Sequence, residues 1–78
     1  MKRQEYFTNK AEFALDLLYN AARDTIATSR ITASDGAIIW IQVARKAGQA
    51  RFNLAASDGS WKVYDNFDNA LNALAGAL

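Results

Sequence analysis

Few residues of this chain have side chains that could carry out acid–base or nucleophilic chemistry. The tetrapeptide Ala-Ser-Asp-Gly occurs twice, at residues 33–36 and 56–59, and each copy places a hydroxyl beside a carboxylate. The chain contains no histidine and no cysteine. This composition excludes a Ser-His-Asp triad, an imidazole base and a thiolate nucleophile. A serine–lysine pair remains formally possible, but the serines lie at predicted element ends, where small polar residues are common, and both copies are interpreted as turn sequences.

Carboxylate pairs are the remaining candidates for catalysis or metal binding. Glu12 and Asp16 lie one helical turn apart, but this pattern is also typical of the solvent face of a helix. The sequence has no Gly-x-Gly-x-x-Gly motif and no P-loop, and a zinc site would lack its usual nitrogen and sulfur ligands. We therefore expect a protein that is not an enzyme and that uses no cofactor and no metal ion.

Length and charge set the class of protein. The 78 residues suffice for one small domain over residues 1–78, and the 51% of hydrophobic residues favours a folded chain over disorder. Nine Lys and Arg residues against eight Asp and Glu residues give a net charge of +1, which disfavours both a strongly basic nucleic-acid binder and an acidic mimic of nucleic acid. The absence of a secretory or membrane-spanning pattern predicts a cytoplasmic protein without a membrane partner.

The first predicted helix begins near Lys10 and continues to about residue 30. Asn9 followed by Glu12 is typical of a capping box. The preceding residues 1–7 are interpreted as a short tail whose Tyr6 and Phe7 pack onto the domain. Phe13 falls near the polar side, which indicates either a hydrophobic staple with Phe7 or an exposed contact with a partner. At 100° per residue the apolar side comprises Ala11, Ala14, Leu15, Leu18, Ala22 and Ile26.

A second helix is predicted in the last segment, with Asp65 or Asn66 as its N-cap. Asp68 suits the positive end of the helix dipole. The apolar positions follow the spacing i, i+3, i+4, i+7, i+11. They are Phe67, Ala70, Leu71, Leu74 and Leu78.

Between the helices, apolar residues recur with the period of two that indicates strands. Ala47-Gly48 and Asp58-Gly59 suit two-residue hairpin loops. The first loop pairs Val43 with Phe52 and Ile41 with Leu54. The second pairs Ala56 with Trp61 and Leu54 with Val63, so every pair is apolar. The first Ala-Ser-Asp-Gly copy leads from the helix region into the first strand. The predicted fold is therefore α+β with two layers: a helix, a three-stranded antiparallel meander and a helix, with both helices on one sheet face.

The other sheet face is the predicted binding site, because no further element is left to cover it. Trp40, Ala55 and Lys62 are expected in one cross-strand row, and Gln42, Asn53 and Tyr64 in the next. Trp, Tyr and Arg often carry the binding energy of an interface. The candidate partner-binding residues are Trp40, Gln42, Arg51, Asn53, Lys62 and Tyr64. Two alternatives stay open. The surface could form a homodimer face to face, or Trp40 could simply lie flat on a partly solvent-exposed sheet face without binding a partner.

Nucleic acid is a further alternative for the same face. Aromatic and basic side chains on a sheet can stack and hold single-stranded bases, although the near-neutral charge disfavours it. The order helix, three strands, helix is also that of the double-stranded-RNA-binding domain. That family needs a basic cluster at the start of its second helix, where this chain has the acidic and neutral residues 65–69.

The segment KVYDNFDNALNAL, residues 62–74, resembles a unit of small phage-encoded anti-CRISPR proteins: a strand, an Asp-Phe-Asp-like corner and a short amphipathic helix. The small size and the lack of catalytic residues are similar as well. The resemblance implies a protein-binding inhibitor that acts in a bacterial host and blocks a CRISPR effector complex through a surface patch. These proteins share no common motif, so no site residue is carried over from them.

Overall fold

The computed structural model describes the backbone of residues 3–56 and 59–78 and the side chains of residues 7–56 and 59–78. The elements are helix α1 (Arg3–Ala22), strands β1 (Ile26–Thr32), β2 (Ile38–Lys46), β3 (Gln49–Ala55) and β4 (Trp61–Tyr64), and helix α2 (Phe67–Ala77). The strands form one antiparallel sheet in the order β1-β2-β3-β4. Helix α1 packs on β1 and β2, and α2 packs on β3 and β4 beside α1. The fold is α+β as predicted, but the sheet has four strands rather than three.

Helix α1 begins at Arg3, so the prediction of a capping box at Asn9 and a preceding tail is wrong. Phe7 packs against the core one turn before Ala11, and no Gly or Pro interrupts the segment. This packing extends the helix towards the N-terminus. The side chain of Tyr6 lies outside the described residues. Phe13 is 72% exposed, and Phe7 lies inside α1 rather than before its N-cap, so the predicted staple is wrong.

The first helix ends at Ala22, and the next segment is a strand, so the predicted continuation of the helix to about residue 30 is wrong. Arg23 adopts a left-handed backbone (φ 51), and the Thr25 backbone N–H and hydroxyl donate to the Ala22 carbonyl at 2.7 and 2.9 Å. Five of the eight residues from Thr25 to Thr32 are β-branched, a composition that favours a strand. Ile26 follows Ala22 at helical spacing only by coincidence and is 59% exposed.

The hairpin between β2 and β3 has the predicted register. Ala47 (φ 54) and Gly48 (φ 79) form the two-residue loop, as a type I′ turn requires. Val43 pairs with Phe52, and Ile41 pairs with Leu54.

The hairpin between β3 and β4 is shifted by one residue, so its predicted register is wrong. Leu54 pairs with Lys62 rather than with Val63, and Trp61 pairs with Ala55 rather than with Ala56. The cause is a loop of three residues instead of two. The Ala56 N–H donates to the Ser60 carbonyl at 3.0 Å, and the Gly59 N–H donates to the Ala56 carbonyl at 3.0 Å. Asp58 lies outside the described residues, and Gly59 has φ 87.

The first Ala-Ser-Asp-Gly copy joins β1 to β2 and has the corresponding two backbone hydrogen bonds. The Gly36 N–H donates to the Ala33 carbonyl at 3.0 Å, and the Ala33 N–H donates to the Ala37 carbonyl at 2.8 Å. Gly36 has φ 89. The Asp35 carboxylate also accepts the Ala37 N–H at 2.9 Å. The repeated tetrapeptide is therefore a three-residue hairpin loop with glycine in the left-handed region.

The core lies between one sheet face and both helices, as predicted. Phe52 is 1% exposed and contacts the rings of Tyr19 and Phe67, whose centroids are 6.3 and 5.7 Å away. Helix α2 has the predicted cap, since the Asn66 side chain accepts the Asn69 N–H at 3.2 Å. Around Phe52 the buried side chains are Ala11, Leu15, Leu18, Ala22, Ala33, Ile39, Ile41, Val43, Ala70, Leu74 and Leu78.

Candidate functional site

We call the sheet surface opposite the helices the open face. It carries the even-numbered side chains of β1 and β2 and the odd-numbered side chains of β3 and β4, because side chains alternate along a strand and the register aligns these positions. Its members are Ile26, Thr28, Arg30, Thr32, Ile38, Trp40, Gln42, Ala44, Lys46, Gln49, Arg51, Asn53, Ala55, Trp61 and Val63.

One cross-strand row dominates the open face. It runs from Arg30 through Trp40 and Ala55 to Trp61. The two tryptophans are 43% and 58% exposed, whereas Ala55 between them is 2% exposed. Ala55 is not part of the core cluster under the helices, so we attribute its burial to the two indole rings beside it. The Arg30 guanidinium carbon lies 5.8 Å from the centre of the Trp40 ring, within the range of a cation–π contact.

The adjacent row carries polar and aliphatic groups. Thr28, Gln42, Asn53 and Val63 align across the four strands. The Asn53 amide nitrogen donates to the Gln42 side-chain oxygen at 3.0 Å, so the two amides partly satisfy each other. Val63 is 60% exposed beside them. The open face therefore holds an apolar patch with a fixed amide pair at its centre.

The charges of the chain are unevenly placed. The bounds of the four strands enclose five charged residues, all basic, and no Asp or Glu. Arg30, Lys46 and Arg51 belong to the open face. The other two, Arg45 and Lys62, have helix-side positions, and the Arg45 guanidinium carbon lies 4.0 Å from the centre of the Tyr19 ring. The net charge of +1 thus conceals a cationic sheet.

A shallow cleft of about 540 Å³ lies at the end of the sheet where β1 begins and β2 ends. Its lining includes the open-face residues Ile26, Lys46 and Arg51, together with Asp24 at the margin. The cleft continues the open face, and Arg45 adds a third cationic side chain to its lining.

The structure divides the six predicted site residues into two groups. Trp40, Gln42, Arg51 and Asn53 lie together on the open face, as predicted. Lys62 and Tyr64 do not join them, because the shift of β4 turns both towards α2. There they line a cleft of about 450 Å³ with Leu54, Ala73 and Ala77, and Tyr64 packs against the core.

Sequence reasoning missed three prominent open-face residues: Arg30, Trp61 and Val63. A signal for each was present. The β-branched composition of residues 25–32 indicates a strand that would carry Arg30. The repeat of Ala-Ser-Asp-Gly indicates that both loops share one geometry, which fixes the face of Trp61 and Val63.

Comparison of the chain with protein-family models, curated proteins and solved structures finds no significant match. Among the described residues, no group of three or more acidic side chains is placed to hold a metal ion. In the same part of the chain, neither helix is both long and apolar enough to span a membrane.

Proposed function

We propose that the protein is a non-enzymatic binding protein and inhibitor that docks the open face onto an acidic surface of a protein partner. The observation that carries this proposal is the row of Arg30, Trp40 and Trp61. It combines two exposed indoles with a cation, and Trp and Arg are the residue types most enriched among interface hot spots. Ala55 between them is small and buried, so no bulky side chain separates the two rings.

The aliphatic residues of the open face favour protein over nucleic acid as the partner. Ile26, Ile38 and Val63 are all exposed, and such side chains bury well against an apolar protein surface but do not stack on bases. Gln42 and Asn53 already bond to each other, which leaves fewer amide groups for reading base edges. The partner surface is therefore expected to have an apolar centre.

The positive charge of the open face indicates that the margin of the partner surface is acidic. Arg30 lies at the β1 edge of the apolar patch, Lys46 and Arg51 lie at the end of the sheet where β2 ends and β3 begins, and no carboxylate belongs to the face within the described strands. Complementary interfaces pair a positive patch with a negative one. Acidic side chains around the apolar centre would meet these three cations. Two copies packed face to face would instead oppose cations to cations, which disfavours that form of homodimer.

The finer proposal names a CRISPR effector complex as the target. Its support is the resemblance of residues 62–74 to a unit of anti-CRISPR proteins. The nucleic-acid channel of such complexes is itself positive, so the cationic open face is not expected to bind inside that channel. We therefore propose that the contact is made with an acidic protein surface of the complex and that inhibition is steric.

Single-stranded nucleic acid is the second candidate partner. One observation favours it: the exposed indole of Trp40 lies beside Arg30, on a sheet face that carries two further cations, as in proteins that stack bases on a sheet. Such binding would weaken steeply as salt increases, because bound cations are released from the phosphates.

Quantitative affinity capture tests the proposed function. Tagged wild-type protein, the double variant Trp40→Ala/Trp61→Ala and the single variant Phe13→Ala would be incubated with nuclease-treated extract of the producing cells. We expect one protein to be captured by the wild type and to decrease at least about 100-fold with the double variant, the combined effect of two hot spots. Phe13→Ala is the matched control, because it removes an exposed aromatic ring from the helix layer.

The remaining outcomes decide between the candidates. Equal capture by the double variant would reject the open face as the site, and loss with Phe13→Ala alone would assign binding to α1. Capture that occurs only from extract without nuclease treatment would favour nucleic acid. For the finer proposal, co-expression of the wild type should abolish CRISPR interference against a targeted plasmid. Interference that persists would reject the effector complex as the target.

A further inference from the structure

Strand β1 forms a long free edge of the sheet. Within the described residues it pairs on one side only, with β2, and all seven of its residues are in continuous register without a bulge. Its sequence, IATSRIT, contains no proline and no lysine. Natural proteins commonly protect such edges with proline, lysine, bulges or short strands. The opposite edge, β4, has only four residues. The β1 edge thus carries one charged residue, Arg30, and none of the other usual protections against strand pairing.

The unpaired backbone groups of β1 can be assigned from its hydrogen bonds. The Arg45 N–H donates to the Thr25 carbonyl at 2.9 Å, and the Ala33 N–H donates to the Ala37 carbonyl at 2.8 Å. In an antiparallel pair, residues alternate between those bonded to the partner and those directed away from it. The odd-numbered residues therefore bond to β2. The N–H and C=O groups of Ile26, Thr28, Arg30 and Thr32 point outwards.

Helix α1 has an apolar flank above this edge. Asp16 and Tyr19 lie on the side of α1 that meets α2, since they line one cleft with Phe67. Leu17 and the small residues Ala14 and Ala21 lie on the other side at 100° per residue. Leu17 is 59% exposed there. The free edge and the apolar flank therefore adjoin each other.

The spacing of strands and helices allows a second copy of the chain to continue both the sheet and the helix layer. Strands are about 4.8 Å apart, so each helix of this fold covers a width of roughly 10 Å, or two strands. Packed helices lie about 8–10 Å apart. A second copy joined at β1 would therefore set its α1 beside this one at normal packing distance, with small residues between them.

We propose that two copies of the chain pair through their β1 edges in antiparallel fashion and form one eight-stranded sheet under a layer of four helices. A two-fold axis at Ser29 is the register that uses all seven residues. It places Thr28 opposite Arg30 of the partner subunit, and the two arginines are not directly opposed. A shift by two residues would either set the arginines face to face or leave the last two residues of β1 unpaired. The two open faces point in the same direction, so the dimer presents both at once.

Sedimentation equilibrium tests the dimer in solution. We expect wild-type protein to sediment at twice its mass of 8.6 kDa. Leu17→Lys adds a charge to the helix flank, and Thr28→Pro removes one outward N–H from an edge strand, where proline is tolerated. Each is expected to weaken the dimer at least about tenfold, while Glu12→Lys, on the exposed side of α1 opposite the flank, leaves it unchanged. A wild-type monomer at millimolar concentration overturns the proposal, as does a dimer that only Trp40→Ala/Trp61→Ala dissociates.

Cysteine cross-linking tests the register and does not depend on the fate of those variants. The chain has no cysteine, and Ser29 is exposed. Ser29→Cys would place two thiols directly opposite each other across the two-fold axis, within disulfide range. Thr32→Cys, three residues away, would place them roughly 20 Å apart. We expect rapid, complete cross-linking of the first variant and little of the second. Equal cross-linking of both, or of neither, overturns the register.

Discussion

The two faces of the sheet are made from the same strands but have opposite characters. The face under the helices buries Ile41, Val43 and Phe52, each at most 1% exposed. The open face presents Trp40 and Trp61 to solvent and carries three cations. Residues of the two faces alternate along each strand, so adjacent positions serve packing and binding in turn.

This alternation makes one loop decisive for the binding surface. The three-residue loop between Ala56 and Ser60 determines which side chains of β4 reach the open face. With a two-residue loop, Lys62 and Tyr64 would lie there. With the observed loop, Trp61 and Val63 do. A difference of one residue therefore replaces a lysine and a tyrosine by a tryptophan and a valine.

The largest expected effect is a loss of stability from a substitution on the sheet face under the helices. Phe52→Ala removes the ring that contacts both Tyr19 and Phe67, and we expect it to lower the free energy of unfolding by about 3–5 kcal/mol. Urea denaturation followed by circular dichroism measures this loss. A loss below about 1 kcal/mol would contradict the central position of Phe52 in the core.

The matched pair Trp61→Ala and Tyr64→Ala separates the roles of the two faces. Trp61→Ala should weaken capture of the partner at least about tenfold and barely change the unfolding midpoint. Tyr64→Ala should leave capture intact but lower the free energy of unfolding by about 1–3 kcal/mol, because its ring packs on the core. The reverse pattern would support the two-residue loop instead.

Glycine substitutions test the shared geometry of the two Ala-Ser-Asp-Gly loops. Gly36 and Gly59 have φ values of 89 and 87, and an added Cβ at either position would meet no atom within 4 Å. The cost of Gly36→Ala or Gly59→Ala is then that of the left-handed backbone, about 1–2 kcal/mol. Equal destabilisation in thermal unfolding is the expected result. A clear inequality would show that the loops differ.

The smallest expected effect is a gain of stability. Gly76 lies inside α2 without a positive φ, and an added Cβ there also has free space. Gly76→Ala should stabilise the protein by about 0.5 kcal/mol, because alanine favours a helix more than glycine does. The same unfolding measurement serves as the control for Gly59→Ala. A loss of stability at Gly76 would indicate that its environment is tighter than the structure shows.

The sequence predicted those parts of the fold in which local and long-range signals agree. The β2–β3 hairpin and helix α2 have both a turn or cap signal and a matching apolar pattern. Strand β1 was missed because Ile26 continues the helical spacing and Arg23 ends the helix in a left-handed backbone without a glycine. The predicted register of β4 was wrong because the apolar pattern fits both loop lengths. A two-residue loop pairs Leu54 with Val63, and the observed three-residue loop pairs Ala55 with Trp61, so the pattern alone does not determine the loop length. Four of the six predicted site residues followed from β2 and β3, and the other two were lost with β4.

The most direct test of the central claim is a nuclear Overhauser measurement on isotopically labelled protein. If Trp40 and Trp61 flank Ala55 on the open face, the Ala55 methyl group will show cross-peaks to both indole rings, since adjacent cross-strand Cβ atoms lie about 4.5–5.5 Å apart. The Tyr64 ring will show cross-peaks to side chains under the helices. Cross-peaks from the Tyr64 ring to Gln42 and Asn53, with none between Trp61 and Ala55, would contradict the account.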